Sequence, residues 1–477
     1  MLNGLHLNNT DSLPKIASGT TQFEVVQFQL LLPVSILLRN IAVPWIFLGR
    51  RFGANNGFWL KFLLDFSFLV LPVVLCMTIL SSHIALVLTL ELIAVISLII
   101  FLLCEYTFIS REKPTFKCIF NEVIDENLSP TIFITYLRSS VLLATAIAIL
   151  AVDFRVFPRR FAKTEKYGRS VMDIGVASFI FCSALVDASR GTYATFVSHL
   201  TKSTPRTVII NLLRYPHEVS EYGVHWNFFF TLAAVQAFEW FLEAGRIFIK
   251  LVRKILGKRF HLLYGLFFTF LHQMLLNEYK FEDWLLSDTT PRDNFLLANR
   301  EGIFSLLGYC SFYYLSLSIS IYAFSKGIRL KSWFCRTVQL FVIAVVLFII
   351  QQYVEFHYGL PSRRIVNISY VFEMLVLHTL MLGELLLVQF ASLFGWAAKM
   401  PQFSTEENPF EQTKPCLMES INKHGLMFFL LANASTGVIN VLVATGNIYN
   451  DMLSAVIVLL YMLLITTVIY RYSKYSA

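Results

Sequence analysis

The sequence predicts an all-α polytopic membrane protein of about thirteen transmembrane helices, and three observations carry that prediction. The chain has 477 residues, of which 56% are hydrophobic and only 15% charged, whereas about a quarter of the residues of a soluble domain are charged. Its mean hydropathy is +0.63. Apolar runs of about 20 residues, the length needed to cross the hydrocarbon core, recur from one end of the chain to the other.

In chain order these runs fall at 25–48, 62–80, 82–104, 133–152, 172–190, 227–245, 260–276, 304–325, 332–353, 366–394, 424–445 and 452–470. A further segment, 194–214, is more polar. It reads as a short, broken or re-entrant crossing, which is tolerated where protein or a water-filled cavity covers the backbone. Residues 1–24 lack the basic start and apolar centre of a cleavable signal peptide and form a tail, leaving the first span as the topogenic signal. Residues 25–470 are expected to form one multi-helix domain, and 471–477 a second short tail.

The net charge of +8 comes from 39 Lys and Arg against 31 Asp and Glu. In a chain of this class it records topology rather than nucleic-acid binding, because cytosolic loops collect Lys and Arg. An N-terminus in the lumen and a C-terminus in the cytosol place Arg50, Arg51, Lys61, Arg246, Lys250, Arg253, Lys254, Lys258, Arg259, Lys326, Arg329, Lys331 and Arg336 on the cytosolic side. The same orientation leaves the turns at 81–83 and 447–451 free of Lys and Arg on the other side. Asn8-Asn9-Thr10 is a glycosylation sequon with Asn8 as acceptor, in the lumenal tail. The seven cysteines are scattered and form no CxxC. No metal site is expected, since no cluster of His or Cys has ligand spacing.

One connection breaks the charge rule. "DFRVFPRRFAKTEKYGRSVMD", residues 153–173, falls on the lumenal side yet is rich in Arg and Lys. Asp153 ends an apolar helix, and Pro158 forbids a continuous helix through the connection, so the loop can fold Lys163 back towards Asp153. Such a pair can accept a proton from a hydroxyl nucleophile and stabilise an oxyanion; the same residues also suit an ion pair that anchors a helix end. Arg155, Arg159, Arg160, Lys166 and Arg169 make a cluster of phosphate size, or one for anionic lipid headgroups. Asp173 and Asp187 sit near the two ends of the fifth span, where carboxylates serve either function or pairing.

Other polar groups open onto the same side. Glu221, His225 and Asn227 in "EYGVHWNFFFTL" suit a clamp for a sugar or an interfacial pair. Asn299 and Arg300 lead one span, and Arg363, Arg364 and Asn367 lead another. Asn433, Ser435, Thr436 and Asn440 enter the twelfth span at a spacing that also glues membrane helices together. A Gly-rich phosphate loop, a GxSxG elbow and a nucleophilic dyad are all missing from the sequence, so a covalent enzyme intermediate is not expected.

"ILAVDF…FPRRFAKTE.YG.S.MDIGV" from Ile149, "EYGVHWNFFFTL" from Glu221, "NREGI.SLLGY" from Asn299, "SRR..N..Y" from Ser362 and "LLAN..TG..N" from Leu430 resemble the glucosaminyl-phosphatidylinositol acyltransferases of GPI-anchor biosynthesis. The resemblance spans nearly the whole chain in the right order. It implies an enzyme of the endoplasmic reticulum membrane that transfers a fatty acyl group, typically palmitoyl, from acyl-CoA to the inositol 2-hydroxyl of glucosaminyl-phosphatidylinositol, facing the lumen. No tightly bound cofactor is implied; acyl-CoA is the co-substrate, and the acceptor and membrane lipids are the other partners. The resemblance carries the catalytic Asp and Lys onto Asp153 and Lys163. Arg155, Arg159, Arg160 and Arg169 would then meet phosphates, and Asp173, Glu221, His225, Asn227, Asn299, Arg300, Arg363 and Asn433 would shape the acceptor pocket. Arg155, Val171 and Ala177 depart from the family pattern, which touches local packing rather than a charged motif residue. Two other functions compete: acetyl transfer to another lumenal glycan, and transport of a lipid or solute.

Overall fold

The computed structural model describes residues 19–47, 54–109, 114–123, 132–190, 226, 228–244, 257–278, 281–287, 291–325, 329–400, 410, 413–443 and 445–475. Among them the chain is nearly all helical, and the one extended pairing is an isolated bridge between Val123 and Arg329. Ten helices among the described residues are long and apolar enough to cross a membrane.

Helix α1 spans Gln22–Phe47 and contains Pro33 and Pro44, tolerated in a membrane helix because neighbours satisfy the freed carbonyls. The second crossing is composite: α2 at Ala54–Asp65, a π-helical turn at Phe66–Val70 and α3 at Leu71–Met77. Pro72 lies in the first turn of α3, where a regular helix would drive its ring into the carbonyl four residues back; the wider turn relieves that clash. Then follow α4, Ile84–Ile109; the short α5, Phe116–Asn121; α6, Ile132–Ala151; and α7, Gly175–Arg190. Phe228–Ala244 is α8 and Phe260–Asn277 is α9. These two match expected spans but fall outside the ten that are long and apolar enough to cross by themselves.

Short helices α10, Phe281–Leu286, and α11, Phe295–Ala298, lead into α12, Arg300–Phe324. A hairpin follows, α13 at Leu330–Tyr358 and α14 at Ile368–Ala397. The chain closes with α15, Leu417–Lys423; α16, Gly425–Leu442; and α17, Asp451–Tyr475. Helix α14 is the axis: it is buried along nearly its whole length and packs on α1, α6, α7, α9, α12 and α13. By contrast α4 and α13 expose rows of Leu, Ile, Val and Phe, including Leu90, Ile93, Ile96, Val342, Val345 and Ile349. In a bilayer such rows meet lipid tails, which are as apolar as they are.

The two ends of the bundle differ. At one end Arg39, 1% exposed, pairs with Asp65 at 2.7 Å and donates to the Thr413 carbonyl at 2.6 Å, while Leu417 N–H donates to Asp65 at 2.7 Å. That end also carries Lys61 of α2, Arg329 just before α13, and Lys331 and Arg336 in its first turns. At the other, more polar end lie the start of α1, the 78–83 turn, the 152–174 loop, Trp226, the start of α12, the turn between α13 and α14, and the turn between α16 and α17. Counting α2 and α3 as one crossing and leaving the short helices aside, the described helices alternate in direction between the ends, with one exception. Helix α7 and the next described helix, α8, both run away from the polar end, since Trp226 just before α8 bonds Asn299 there. The expected span at 194–214 falls in the interval between them, outside the described residues, as does Asn8.

The turn joining α13 to α14 is forced into shape. Asn367 caps α14, its side chain accepting from Tyr370 N–H at 3.2 Å and from Ser362 N–H at 2.9 Å. Just before it Val366 is held at φ 51, a left-handed conformation that strains a β-branched residue by about 1–3 kcal/mol. Gly308 of α12 makes room for it: a Cβ there would stand 2.7 Å from the Val366 carbonyl oxygen.

Candidate active site

The 152–174 loop is folded by its aromatics. Phe154, Phe157 and Phe161 are all but fully buried, and Phe161 packs against Phe157 and Phe28 with ring centroids 6.3 and 6.2 Å apart. Helix α6 ends at Ala151; Pro158 is extended, and a single 3-10 turn, Arg159–Phe161, follows. Further along, Gly168 adopts φ 121, a region open to glycine, and its N–H donates to the Pro361 carbonyl at 2.9 Å. With three Phe driven inward, the charged residues between them are left at the polar rim.

Asp153 follows the last turn of α6. Its partners among the described residues are Asn440 of α16, whose Nδ2 donates to Oδ2 at 2.7 Å, and the charge of Arg159. Burial pushes the Asp153 carboxyl above the usual range, and the Asn440 bond and Arg159 pull it part of the way back. Lys163 is exposed on the same loop. The direct Asp153–Lys163 pair read from the sequence is thus replaced by Asn440 and Arg159 on the Asp153 side.

The arginines expected to gather around a phosphate go instead to four separate places. Arg155 donates to the Gly446 carbonyl at 2.8 Å and lies 4.0 Å over the ring of Tyr449, tying the loop to the α16–α17 turn. Arg159 donates to the carbonyls of Val152, at 3.0 Å, and Phe154, at 2.8 Å, closing the loop on itself. Arg160 holds Glu24 of α1 at 2.9 Å and the Ser81 carbonyl at 2.9 Å. Arg169 bridges Glu355 of α13, at 2.6 Å, and the buried Glu373 of α14, at 2.9 Å. Sequence spacing placed these cations in one loop, but burial gives each a protein acceptor of its own.

Asp173, 2% exposed, is the floor of the loop. It accepts from Arg363 Nε at 2.9 Å and from Thr164 Oγ1 at 2.8 Å, and its carbonyl accepts from Tyr370 OH at 2.8 Å. The crevice between Val25, Arg169, Asp173, Tyr370 and Glu373 leaves no room for a water molecule. Asp173 and Arg363 therefore act here as a clamp between the loop and the α13–α14 turn rather than as an open binding wall. Asp187 is likewise occupied, by Tyr313 OH at 2.9 Å.

Glu301 collects Arg292 at 2.7 Å, Arg364 at 3.6 Å and Arg300 at 3.7 Å. Arg300 is fully buried, with its guanidinium 5.5 Å from the Trp284 ring centre and a bond to the Ser287 carbonyl. Asn299, also buried, accepts from Trp226 N–H at 2.9 Å and donates to the Phe295 carbonyl at 2.9 Å. Asn433 donates to the Phe429 carbonyl of its own helix at 2.7 Å. Glu221, His225 and Asn227 lie outside the described residues. What sequence reasoning passed over is the set of acceptors, Glu24, Glu355 and Glu373. Glu373 had a signal of its own, a carboxylate inside an apolar run.

The described residues contain no group of three His, Cys, Asp or Glu that could hold a metal. The arrangement is instead a half-buried carboxylate with a raised proton affinity, an amide donor at its side, and an exposed lysine on the same loop.

Comparison with known proteins now bears on what that arrangement is for. The GWT1 family model matches residues 14–472 of the chain. The mouse (Mus musculus) protein named glucosaminyl-phosphatidylinositol-acyltransferase PIGW is 31% identical over 469 residues, 90% of each chain. Its human (Homo sapiens) counterpart is 31% identical over 473 residues, again 90% of each chain. GPI-anchored wall transfer protein 1 of Schizosaccharomyces pombe is 34% identical over 324 residues, 64% of this chain and 65% of that one.

Proposed function

The chain belongs to the GWT1 family, and on that premise we propose that it is an acyltransferase of GPI-anchor biosynthesis that moves a fatty acyl group from acyl-CoA to the inositol 2-hydroxyl of glucosaminyl-phosphatidylinositol. The names of its relatives support the acyl transfer and the glycolipid acceptor. Palmitoyl-CoA as donor, the endoplasmic reticulum as address and a lumenal site extend that reading. The cations at the end of the bundle away from the loop, Lys61, Arg329, Lys331 and Arg336, support a cytosolic face there and a lumenal one at the loop. The alternation of helix directions supports thirteen crossings, with the N-terminus lumenal and the C-terminus cytosolic.

One observation carries the mechanism: Asp153, a carboxyl raised by burial, is held by a 2.7 Å bond from Asn440 where the polar connections converge. Asp153 accepts the proton of the inositol hydroxyl as that oxygen attacks the thioester carbonyl. Lys163, approaching from the other side of the carbonyl, stabilises the oxyanion of the tetrahedral intermediate. Collapse breaks the carbon–sulfur bond, and the departing CoA thiolate takes up the proton from Asp153. No covalent acyl-enzyme is needed. Lys166, exposed on the loop, takes over the phosphate contact that the engaged arginines do not offer, while Arg155, Arg159, Arg160 and Arg169 keep the loop in place.

The test uses purified protein in detergent micelles with palmitoyl-CoA and a glucosaminyl-phosphatidylinositol analogue, the products read by mass spectrometry. Acyl-inositol and free CoA are expected in equal amounts. Asp153→Asn should lose about a hundredfold or more in rate with its melting temperature unchanged. An intact wild type that makes no acyl-inositol refutes acyl transfer, and near-normal turnover by Asp153→Asn removes Asp153 from the mechanism.

A further inference from the structure

We propose that Asn440 is a positioning residue for acyl transfer, the amide donor that aims the Asp153 carboxylate at the acceptor hydroxyl and keeps it ready to take a proton. The inference rests on the acyl-transfer reading above and adds a residue from the other end of the chain. Asn440 Nδ2 donates to Asp153 Oδ2 at 2.7 Å across 287 residues of sequence. An ionised Asp153 only accepts, so the amide faces it with the NH2 group, the one arrangement beside an anion that attracts rather than repels. Thr445 Oγ1 then donates to the Asn440 Oδ1 on the other side at 3.4 Å.

The contact is built from both sides. Arg155, two residues after Asp153, donates to Gly446 and covers Tyr449, so the α16–α17 turn is fastened to the loop beside the Asn440 bond. A helix-gluing asparagine would bond a neighbouring helix, and Asn433 bonds the backbone of its own. Asn440 instead reaches beyond the end of α6 to a group in the loop. Among the described residues Asp153 faces one cation, Arg159 of its own loop, and one neutral donor, Asn440 of α16. The bond from Asn440 favours the ionised carboxyl, opposing the burial that disfavours it.

The direction of the effect follows. A general base works ionised, and withdrawing the amide donor raises the pH at which Asp153 ionises, so the acid limb of the rate profile moves to higher pH. Asn440→Leu, close in size and without a donor, should lose about tenfold or more in kcat at neutral pH and recover part of it at alkaline pH, with KM for acyl-CoA little changed. Asn440→Asp keeps the shape but sets a second carboxyl against the first, and should move the limb further the same way. It also serves if Asn440→Leu does not fold.

The measurement is acyl-inositol formation against pH by wild type and both variants, each checked for an intact melting transition. An upward shift of the acid limb in a folded variant supports the inference. A wild-type profile, or a loss by the same factor at every pH, overturns it and leaves acyl transfer standing. A wild type that forms no product at any pH overturns both.

Discussion

Removing the Arg363 side chain should unfasten the loop from the bundle without touching Asp153. Arg363 and Asp173 are 6% and 2% exposed and meet at 2.9 Å. Breaking a buried pair by deleting one partner costs about 3–5 kcal/mol, because the other charge stays buried. Here Asp173 keeps Thr164, through Oγ1 at 2.8 Å and N–H at 3.3 Å, so the low end, about 3 kcal/mol, is expected for Arg363→Met. Replacing both partners, as in Arg363→Met with Asp173→Leu, should return part of that loss, since two apolar groups leave no orphaned charge. The assay is thermal unfolding of the four proteins in one detergent, read as a double-mutant cycle, with acyl transfer measured alongside. Were Arg363 a substrate contact, Arg363→Met would melt like wild type and raise KM alone. That result, or a double variant less stable than the sum of the singles, refutes the clamp.

Two further outcomes follow from the same geometry. Because burial raises the Asp153 carboxyl, the wild-type rate should fall on acidification at a higher pH than an exposed aspartate would give, and the limb is read directly from initial rates against pH. Gly308→Ala sets a Cβ 2.7 Å from the Val366 oxygen and 2.8 Å from its Cβ. It should destabilise by about 1–3 kcal/mol and lower activity through the displaced turn, and an alanine variant with wild-type melting and rate would show that the turn yields freely.

Ten of the twelve apolar runs were legible because hydrophobic length is a local property, while 227–245 and 260–276 form helices that fall short of it on their own. Helix α12 begins at Arg300 rather than near 304 and α13 continues to Tyr358, since polar residues at a membrane interface continue a helix that hydropathy would end. The loop was legible through its violation of the charge rule, and Asp153 through its place after an apolar helix. The destinations of the arginines were not. Arg160 finds Glu24 across 136 residues and Arg169 finds Glu355 across 186. Residue type tells what can pair, whereas the choice among distant acceptors depends on packing that brings helix ends together. Asn440 shows the same limit: its spacing along α16 was visible, and its partner was not.

The distance in sequence between Asp153 and Asn440 also orders events during biosynthesis. At about 5–20 residues per second, roughly 15–60 s separate the emergence of the loop from that of its last donor. Through that interval a half-made chain holds the loop residues in the membrane with the Gly446 and Tyr449 tethers still to come. Helices α16 and α17, made well after the loop, are thus the ones that complete it, and a chain halted after α14 would carry every loop residue yet lack the group that aims Asp153. Activity becomes a report on whether synthesis passed the α16–α17 turn.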